Sequence, residues 1–252
     1  MNFKNRIIII TGASSGIGAH AAEVISKLGG SVVITGRNQD NLKRTVEKCE
    51  GETFPIIADV NNEEDRSKII KQTLEKYGKI DVLVNNAGIG SRGTILDTKM
   101  ETFDSMMNTN VRSVFHLTQL AAPHLIESKG NVVNVASFVG MRPIPGNLSY
   151  GMSKAALDYF TKCVALELAP MGVRVNSVNP GIILTEFQKR IGMNEESYDS
   201  FLQQIQNKTP IGRVGTVAEI SQAIAFLACN EASSFITGVT LSVDGGLKII
   251  AP

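Results

Sequence analysis

Tyr150 and Lys154 stand four residues apart in Tyr150-Gly151-Met152-Ser153-Lys154, and Ala155-Ala156-Leu157-Asp158-Tyr159-Phe160 follows. That continuation reads as a helix, and residues four apart share a helix face. A phenol and an ammonium are thereby held side by side. A nearby cation favours the phenolate and lowers the phenol pKa. An unperturbed tyrosine titrates near about 10, and drawing it down by about 3 units takes about 4 kcal/mol. An ammonium in a partly desolvated cleft, helped by a second cation, is expected to supply that stabilisation. The product would be a general acid/base tuned towards neutral pH. Ordinary surface helices carry the same spacing, so the chemistry depends on what surrounds the pair.

The second constellation is Thr11-Gly12-Ala13-Ser14-Ser15-Gly16-Ile17-Gly18, between an apolar run and an amphipathic one. Glycines between a first strand and a first helix let the backbone turn tightly and approach a pyrophosphate, whose charge meets the helix N-terminus. The spacing is Gly-x-x-x-Gly-x-Gly. A tight turn with no ligand has the same outline, and the βαβ setting favours the phosphate. The next apolar run ends Ile34-Thr35-Gly36-Arg37-Asn38, with Gly36 18 residues beyond Gly18. An acid about 20 residues after such a loop would hold the 2′-hydroxyl of NAD. No acid stands there. The guanidinium of Arg37, with Asn38 beside it, suits the 2′-phosphate of NADP(H) instead.

Elements must carry these residues. Short β-branched runs at Ile7–Thr11, Val32–Thr35, Thr53–Ala58, Val82–Val84, Val132–Val135, Val173–Val178 and Val239–Val243 read as buried strands. Helical patterns separate them at Ile17–Leu28, Asp40–Cys49, Glu63–Tyr77, Thr102–Ser128, Tyr150–Ala169 and Val217–Cys229. Alternation of this kind predicts an α/β fold: a Rossmann-like, doubly wound, seven-stranded parallel sheet with helices on both faces. Residues 1–252 read as one domain. Residues 185–212 are polar and mixed, an excursion after a late strand where a substrate lid would sit.

Composition excludes several classes. A formal net charge of +1 carries no nucleic-acid footprint. Four consecutive isoleucines, Ile7 to Ile10, are too few for a membrane span or a signal segment. Cys49, Cys163 and Cys229 show no paired spacing, as in a reduced, cytoplasmic protein. His20, His116 and His124 form no ligand cluster, so no metal site is expected.

With these residues in hand, the chain resembles the short-chain dehydrogenase/reductase family, in its single-domain branch. The likeness spans the chain and rests on Thr11-Gly12-x-x-x-Gly16-x-Gly18, Asp59-Val60, Asn85-Asn86-Ala87-Gly88, Asn110, Ser137, Tyr150-x-x-x-Lys154 and Pro180-Gly181, with Ser137 thirteen residues before Tyr150. The later Pro210-Ile211-Gly212-Arg213 and Val243-Asp244-Gly245-Gly246 also match. The resemblance implies roles. Asp59 and Val60 would meet the adenine, and Asn86, Ala87 and Gly88 its ribose. Pro180, Gly181, Ile183 and Thr185 would contact the nicotinamide and pyrophosphate. Asn110, Ser137, Tyr150 and Lys154 would be catalytic. Ser137 would hold the substrate oxygen and Tyr150 would exchange its proton. Lys154 would lower the tyrosine pKa and bind the nicotinamide ribose. Asn110 would anchor a relay water.

The family likeness implies NADP(H)-dependent interconversion of a carbonyl and an alcohol. Phe138, Val139, Met141, Pro143, Ile144, Pro145 and Leu148, with Ile183, Leu184, Phe187 and Ile191, suggest a lipophilic small molecule: a ketosteroid, an isoprenoid or a fatty-acyl group. Arg92 and Arg142 keep a 3-oxoacyl group on a phosphopantetheine carrier open. The family implies a homotetramer or dimer, through a face that could include Ala155, Ala156, Phe160, Val164 and Leu168. A non-catalytic NADP-sensing protein is the alternative from another class. Intact Ser137, Tyr150 and Lys154 argue against it. A sugar-nucleotide epimerase is disfavoured because no substantial C-terminal substrate domain remains.

Overall fold

The four isoleucines at the start of the first strand show how the sheet is built. In a strand, successive side chains point to opposite faces. In the computed structural model, which describes residues 1–187 and 194–250, Ile8 and Ile10 enter one core and Ile7 and Ile9 the other. Both faces of β1 (Ile7–Thr11) are therefore buried, as a doubly wound sheet requires.

Six more strands complete one sheet: β2 (Ser31–Gly36), β3 (Thr53–Ile57), β4 (Val82–Asn85), β5 (Asn131–Val135), β6 (Arg174–Pro180) and β7 (Thr240–Val243). Their order is β3-β2-β1-β4-β5-β6-β7, and every pairing is parallel. One face is covered by α1 (Gly16–Lys27), α2 (Gln39–Lys48) and a late helix at Val217–Ala228, through Ala21, Ile25, Leu42, Ile220 and Ile224. The other is covered by α3 (Glu63–Tyr77), a helix at Ser113–Ser128 and one at Leu148–Leu168, through Ile69, Leu117, Leu125 and Ala165. This is the expected Rossmann-like single domain. Strand order reverses between β1 and β4, and the crevice at their carboxyl ends is the general ligand site of such sheets.

Two differences from the sequence pattern matter for function. The helix expected over 102–128 is two helices, α4 (Met100–Met107) and α5 (Ser113–Ser128), joined by a π-helical turn at Asn108–Arg112. Such turns accompany local insertions in the hydrogen-bond ladder. Within 185–212, the residues Glu195–Lys208 form a further helix. Among the described residues, the remaining α-helices in chain order are α6 (Leu148–Leu168), α7 (Glu195–Lys208), α8 (Val217–Ala228) and the short α9 (Asn230–Ser233). Among the described residues, no helix is long and apolar enough to cross a membrane.

Candidate active site

The glycine loop follows β1 directly. Gly12 and Gly16 have φ of +66° and +59°, which side chains rarely adopt. A Cβ on Gly12 would lie 2.8 Å from the Ala87 Cα. Gly18 packs just as tightly on the Gly12 carbonyl and the Asn86 amide. The first turn of α1 carries no acidic residue, so its positive end is open to an anion. Gly12, Ser14, Ser15, Gly16 and Ile17 line a cavity of about 850 Å³ that runs along the carboxyl ends of the strands.

Thr11 and Gly18 stand behind that lining. Thr11 Oγ1 accepts from the backbone N–H groups of Asn86 and Ala87, both at 3.0 Å. Asn86 Nδ2 donates to the Thr11 carbonyl at 2.8 Å and to that of Gly12 at 3.2 Å. The two residues fasten the end of β4 to the loop, while Asn86, Ala87 and Gly88 still line the cavity.

At the far end the cavity meets Arg37, Asp59 and Val60. Arg37 is largely exposed, and its Nη1 lies 3.7 Å from Asp59 Oδ2. Asn38 does not line the cavity. It caps α2, its side chain accepting from the Asn41 N–H at 2.8 Å. The sequence reading missed Arg66, a buried guanidinium on α3. It donates to the Val60 carbonyl at 2.6 Å and to His116 Nδ1 at 2.8 Å, which fixes the turn after Asp59. Its signal was an arginine on the face of α3 that also carries Ile69, Ile70 and Thr73.

At the near end Ser137, Tyr150 and Lys154 converge. Ser137 follows β5, is buried, and caps the 3₁₀ turn Phe138–Gly140. Its side chain acts on the Tyr150 phenol, favouring the ionised form. Lys154 is buried one helical turn beyond Tyr150, and its Nζ donates to the Val135 carbonyl at 2.8 Å.

The i, i+4 spacing predicts a phenol drawn down by its ammonium. The fold does the opposite. Desolvation pushes Tyr150 up to about 12, opposed by the influence of the Ser137 side chain. Burial likewise pushes Lys154 down to about 8, with Asp158 opposing. The Lys154 Nζ lies 5.8 Å from the Tyr150 ring centroid. The apolar walls disfavour the charged form of each group, and the interaction between the two does not offset this. At neutral pH the phenol keeps its proton.

Asn110 lies in the π turn, fully buried and outside the cavity lining. Its Oδ1 accepts from the Ile89 N–H, and its Nδ2 donates to the Ile89 carbonyl and to Ser153 Oγ, each at 2.9 Å. Both amide hydrogens are used, so the side chain has no donor left for a water. It acts as a clamp between α6, the turn and the segment after β4.

Pro180, Gly181, Ile183 and Thr185 close the opposite wall. A Cβ on Gly16 would meet Thr185 Cγ2 at 3.6 Å, so that side chain faces the loop. Of the expected apolar wall, Phe138, Val139, Ile144, Pro145, Ile183 and Phe187 line the cavity. Met141, Pro143, Leu148 and Leu184 do not; Met141 turns outward to Ser242, and Leu148 and Leu184 are exposed. Ile191 lies outside the described residues. The wall also gains Phe201, Ile205 and Lys208 from α7, and Leu247 and Ile250 from the C-terminal segment. Arg92 lies over the Phe201 ring at 5.9 Å, and Arg142 Nη1 donates to the Leu247 carbonyl at 2.6 Å.

A positive-φ glycine cradle, an open helix N-terminus and Gly88, whose added Cβ would lie 3.5 Å from Lys154 Nζ, fit a dinucleotide along the strand ends. The fold and this cleft define a dinucleotide-dependent oxidoreductase. Residues 12–248 match the family model described as Enoyl-(Acyl carrier protein) reductase. A 3-oxoacyl-[acyl-carrier-protein] reductase of Thermotoga maritima is 37% identical over 253 residues, covering 99% of this chain and 100% of that one. A short-chain dehydrogenase/reductase of unknown function from Caenorhabditis elegans, solved with cofactor, superposes with a TM-score of 0.93 at 37% identity, covering 99% and 97% of the two chains. A 3-ketoacyl-(acyl-carrier-protein) reductase of Brucella melitensis complexed with NADH gives 0.89 at 33% identity, covering 98% and 99%. The chain belongs to the short-chain dehydrogenase/reductase family, and it is an NAD(P)-dependent oxidoreductase.

Proposed function

We propose that the protein interconverts a carbonyl and an alcohol on a lipophilic small molecule with NADP(H), in the direction of carbonyl reduction. The observation that carries this reading is the convergence of Ser137, Tyr150 and buried Lys154 on one cavity with the glycine loop. Gly12, Ser14, Ser15, Gly16 and Ile17 would cradle the pyrophosphate. Asp59 and Val60 would border the adenine, and Asn86, Ala87 and Gly88 the adenine ribose. Pro180, Gly181, Ile183 and Thr185 would flank the nicotinamide. Arg37 would take the 2′-phosphate. The chemistry this cofactor supplies when bound is hydride exchange with the substrate carbon.

The chain's own residues handle the oxygen. Ser137 and Tyr150 would hold a carbonyl oxygen as negative charge develops on it, the role of an oxyanion site. Tyr150, protonated at neutral pH, would deliver its Oη proton there. Lys154, fixed by Val135, would keep positive charge near that oxygen. Phe187, Phe201 and Ile205, with Leu247 and Ile250 of the C-terminal segment, would surround an apolar substrate such as a ketosteroid, an isoprenoid or a 3-oxoacyl group. Assembly into a dimer or tetramer would use the outer face of α5 and α6. There Phe115, Tyr159 and Leu166 are exposed by 54%, 72% and 80%, whereas Leu168 and Val164 pack into the protein's own core.

The deciding experiment offers NADPH with a panel of ketones and compares Tyr150→Phe. Turnover that falls about 10²–10⁴-fold in the variant, with cofactor binding retained, is the expected result. Tight NADPH binding without turnover of any carbonyl would point to a sensor instead.

A further inference from the structure

Asp158 is a buried carboxyl that this mechanism does not use. It lies one turn beyond Lys154 on α6 and is 7% exposed. Across from it on β6, Ser177 and Asn179 are fully buried. Ser177 Oγ lies 2.9 Å from Asp158 Oδ1 and 3.0 Å from Asn179 Oδ1. Asn179 Nδ2 lies 2.7 Å from Asp158 Oδ2 and 3.2 Å from the Ser137 carbonyl.

The hydrogens in this ring do not balance if Asp158 is ionised. A serine hydroxyl has one hydrogen, and here it faces two acceptors. If it goes to Asp158, Asn179 Oδ1 is left against a lone pair. If it goes to Asn179, Ser177 Oγ sits against an unprotonated carboxylate oxygen. Turning the Asn179 amide over does not help. Its oxygen would then face Asp158 Oδ2 and the Ser137 carbonyl, both acceptors. One added proton on Asp158 solves the count. Asp158 donates to Ser177, Ser177 donates to Asn179 Oδ1, and Asn179 Nδ2 donates to Asp158 Oδ2 and to the Ser137 carbonyl.

We propose that Asp158 is a neutral carboxylic acid closing a hydrogen-bonded ring with Ser177 and Asn179, and that this ring is the positioning device for Ser137. The charged groups facing it among the described residues are Lys154 and Lys162 of its own helix, while β6 presents only neutral partners. Burial raises the Asp158 pKa against their pull. Lys154 makes no ion pair with Asp158; its Nζ is held by Val135. The effect on turnover rests on the reading of Ser137 above, but the protonation state does not.

The test compares Asp158→Asn with Asp158→Leu in the full chain. Asparagine can present a donor to Ser177 and an acceptor to Asn179, as the acid does; leucine presents neither. Wild type should show a protonated-carboxyl infrared band at neutral pH that Asp158→Asn lacks. A carboxyl whose folded pKa is raised contributes stability below its unfolded value and loses it as pH rises through the folded one. Wild type should therefore lose stability relative to Asp158→Asn above the ordinary carboxylate range. Asp158→Leu should lower kcat about tenfold or more, with cofactor KM within about twofold, and Asp158→Asn should restore kcat to within about twofold of wild type. No such band, with Asp158→Asn as impaired as Asp158→Leu, would overturn the proposal and make Asp158 an ionised counter-charge. If Asp158→Leu does not fold, the band and Asp158→Asn still decide. If the band is present but no carbonyl is turned over, the reductase reading fails while the ring stands.

Discussion

Gly140 and Lys154 meet backbone to backbone. A Cβ added to Gly140 would lie 2.7 Å from the Lys154 carbonyl carbon and 2.8 Å from the Ala155 nitrogen. No flexible side chain is there to give way. The turn that carries Ser137 is thus pressed directly against the helix that carries Tyr150, and the distance between their hydroxyls is set by main chain. Gly140→Ala should cost about 1–3 kcal/mol, as overpacking of a tight contact does. It should also lower kcat, because the turn must back away from α6. Urea denaturation and a turnover assay check the two together. A variant with unchanged stability and kcat would show that the contact does not set the site.

In the proposed reading Arg37 would carry the cofactor preference. Its guanidinium is exposed, and its partner at 3.7 Å, Asp59, is 38% exposed, so water and salt weaken that pairing. A 2′-phosphate offers more charge and better geometry. Arg37→Ala should raise KM for NADPH about 10-fold or more, on the scale of one charged hydrogen bond lost, and leave KM for NADH nearly unchanged. Steady-state kinetics with both cofactors reads the difference. Equal changes would remove the case for NADP(H).

The strands were legible because burial on both faces leaves a local mark, the unbroken β-branched run of Ile7 to Ile10 being the plainest. Glu63–Tyr77 was legible at both ends because Asn62 caps it and Gly78 adopts the left-handed conformation that ends it. The break at Asn108–Arg112 was not. The hydrogen bonds of Asn110 reach Ile89 and Ser153, 21 and 43 residues away, and no local pattern announces partners that distant. For the same reason the pairing of Tyr150 with Lys154 misled about charge. Spacing shows which groups are neighbours, whereas the apolar residues packed around Tyr150 come from the turn after β5, the segment after β6 and the C-terminal segment. Asp158 stood in view four residues after Lys154, but its role depends on Ser177 and Asn179 of β6.

Lys154 should make stability depend on pH in a defined direction. Its pKa is about 8 in the folded protein against an ordinary 10.5. Between those values the unfolded chain holds a proton that the folded one has released, so stability rises with pH across that window. Below it, the buried ammonium costs the fold on the order of 3 kcal/mol. A neutral Asp158 would shift the lower edge further down. Tyr150, raised to about 12 from 10.0, acts only at higher pH and in the opposite direction. Chemical denaturation from pH 7 to 10 should show wild type gaining on Lys154→Met as pH rises. Parallel curves for the two proteins would mean that Lys154 is solvated.

Asn110→Ala should be among the more damaging single changes outside the cavity lining. It removes two hydrogen bonds to the main chain of Ile89 and one to Ser153. Each buried polar group left without a partner costs about 1–3 kcal/mol, so the loss should reach about 2–5 kcal/mol. Asn110→Asp separates clamp from charge. It can still accept from the Ile89 N–H, but its second oxygen faces the Ile89 carbonyl. It should therefore be destabilised as well, and most strongly at neutral pH where it is ionised. Because the clamp joins the segment after Gly88 to α6, kcat should fall in both variants, while affinity at the proposed adenine end, where Arg37, Asp59 and Val60 line the cavity, should change little. Denaturation midpoints with kcat and cofactor KM measured on the same samples check this. An Asn110→Ala protein with wild-type stability but abolished turnover would reverse the assignment, making Asn110 a proton-relay residue rather than a clamp.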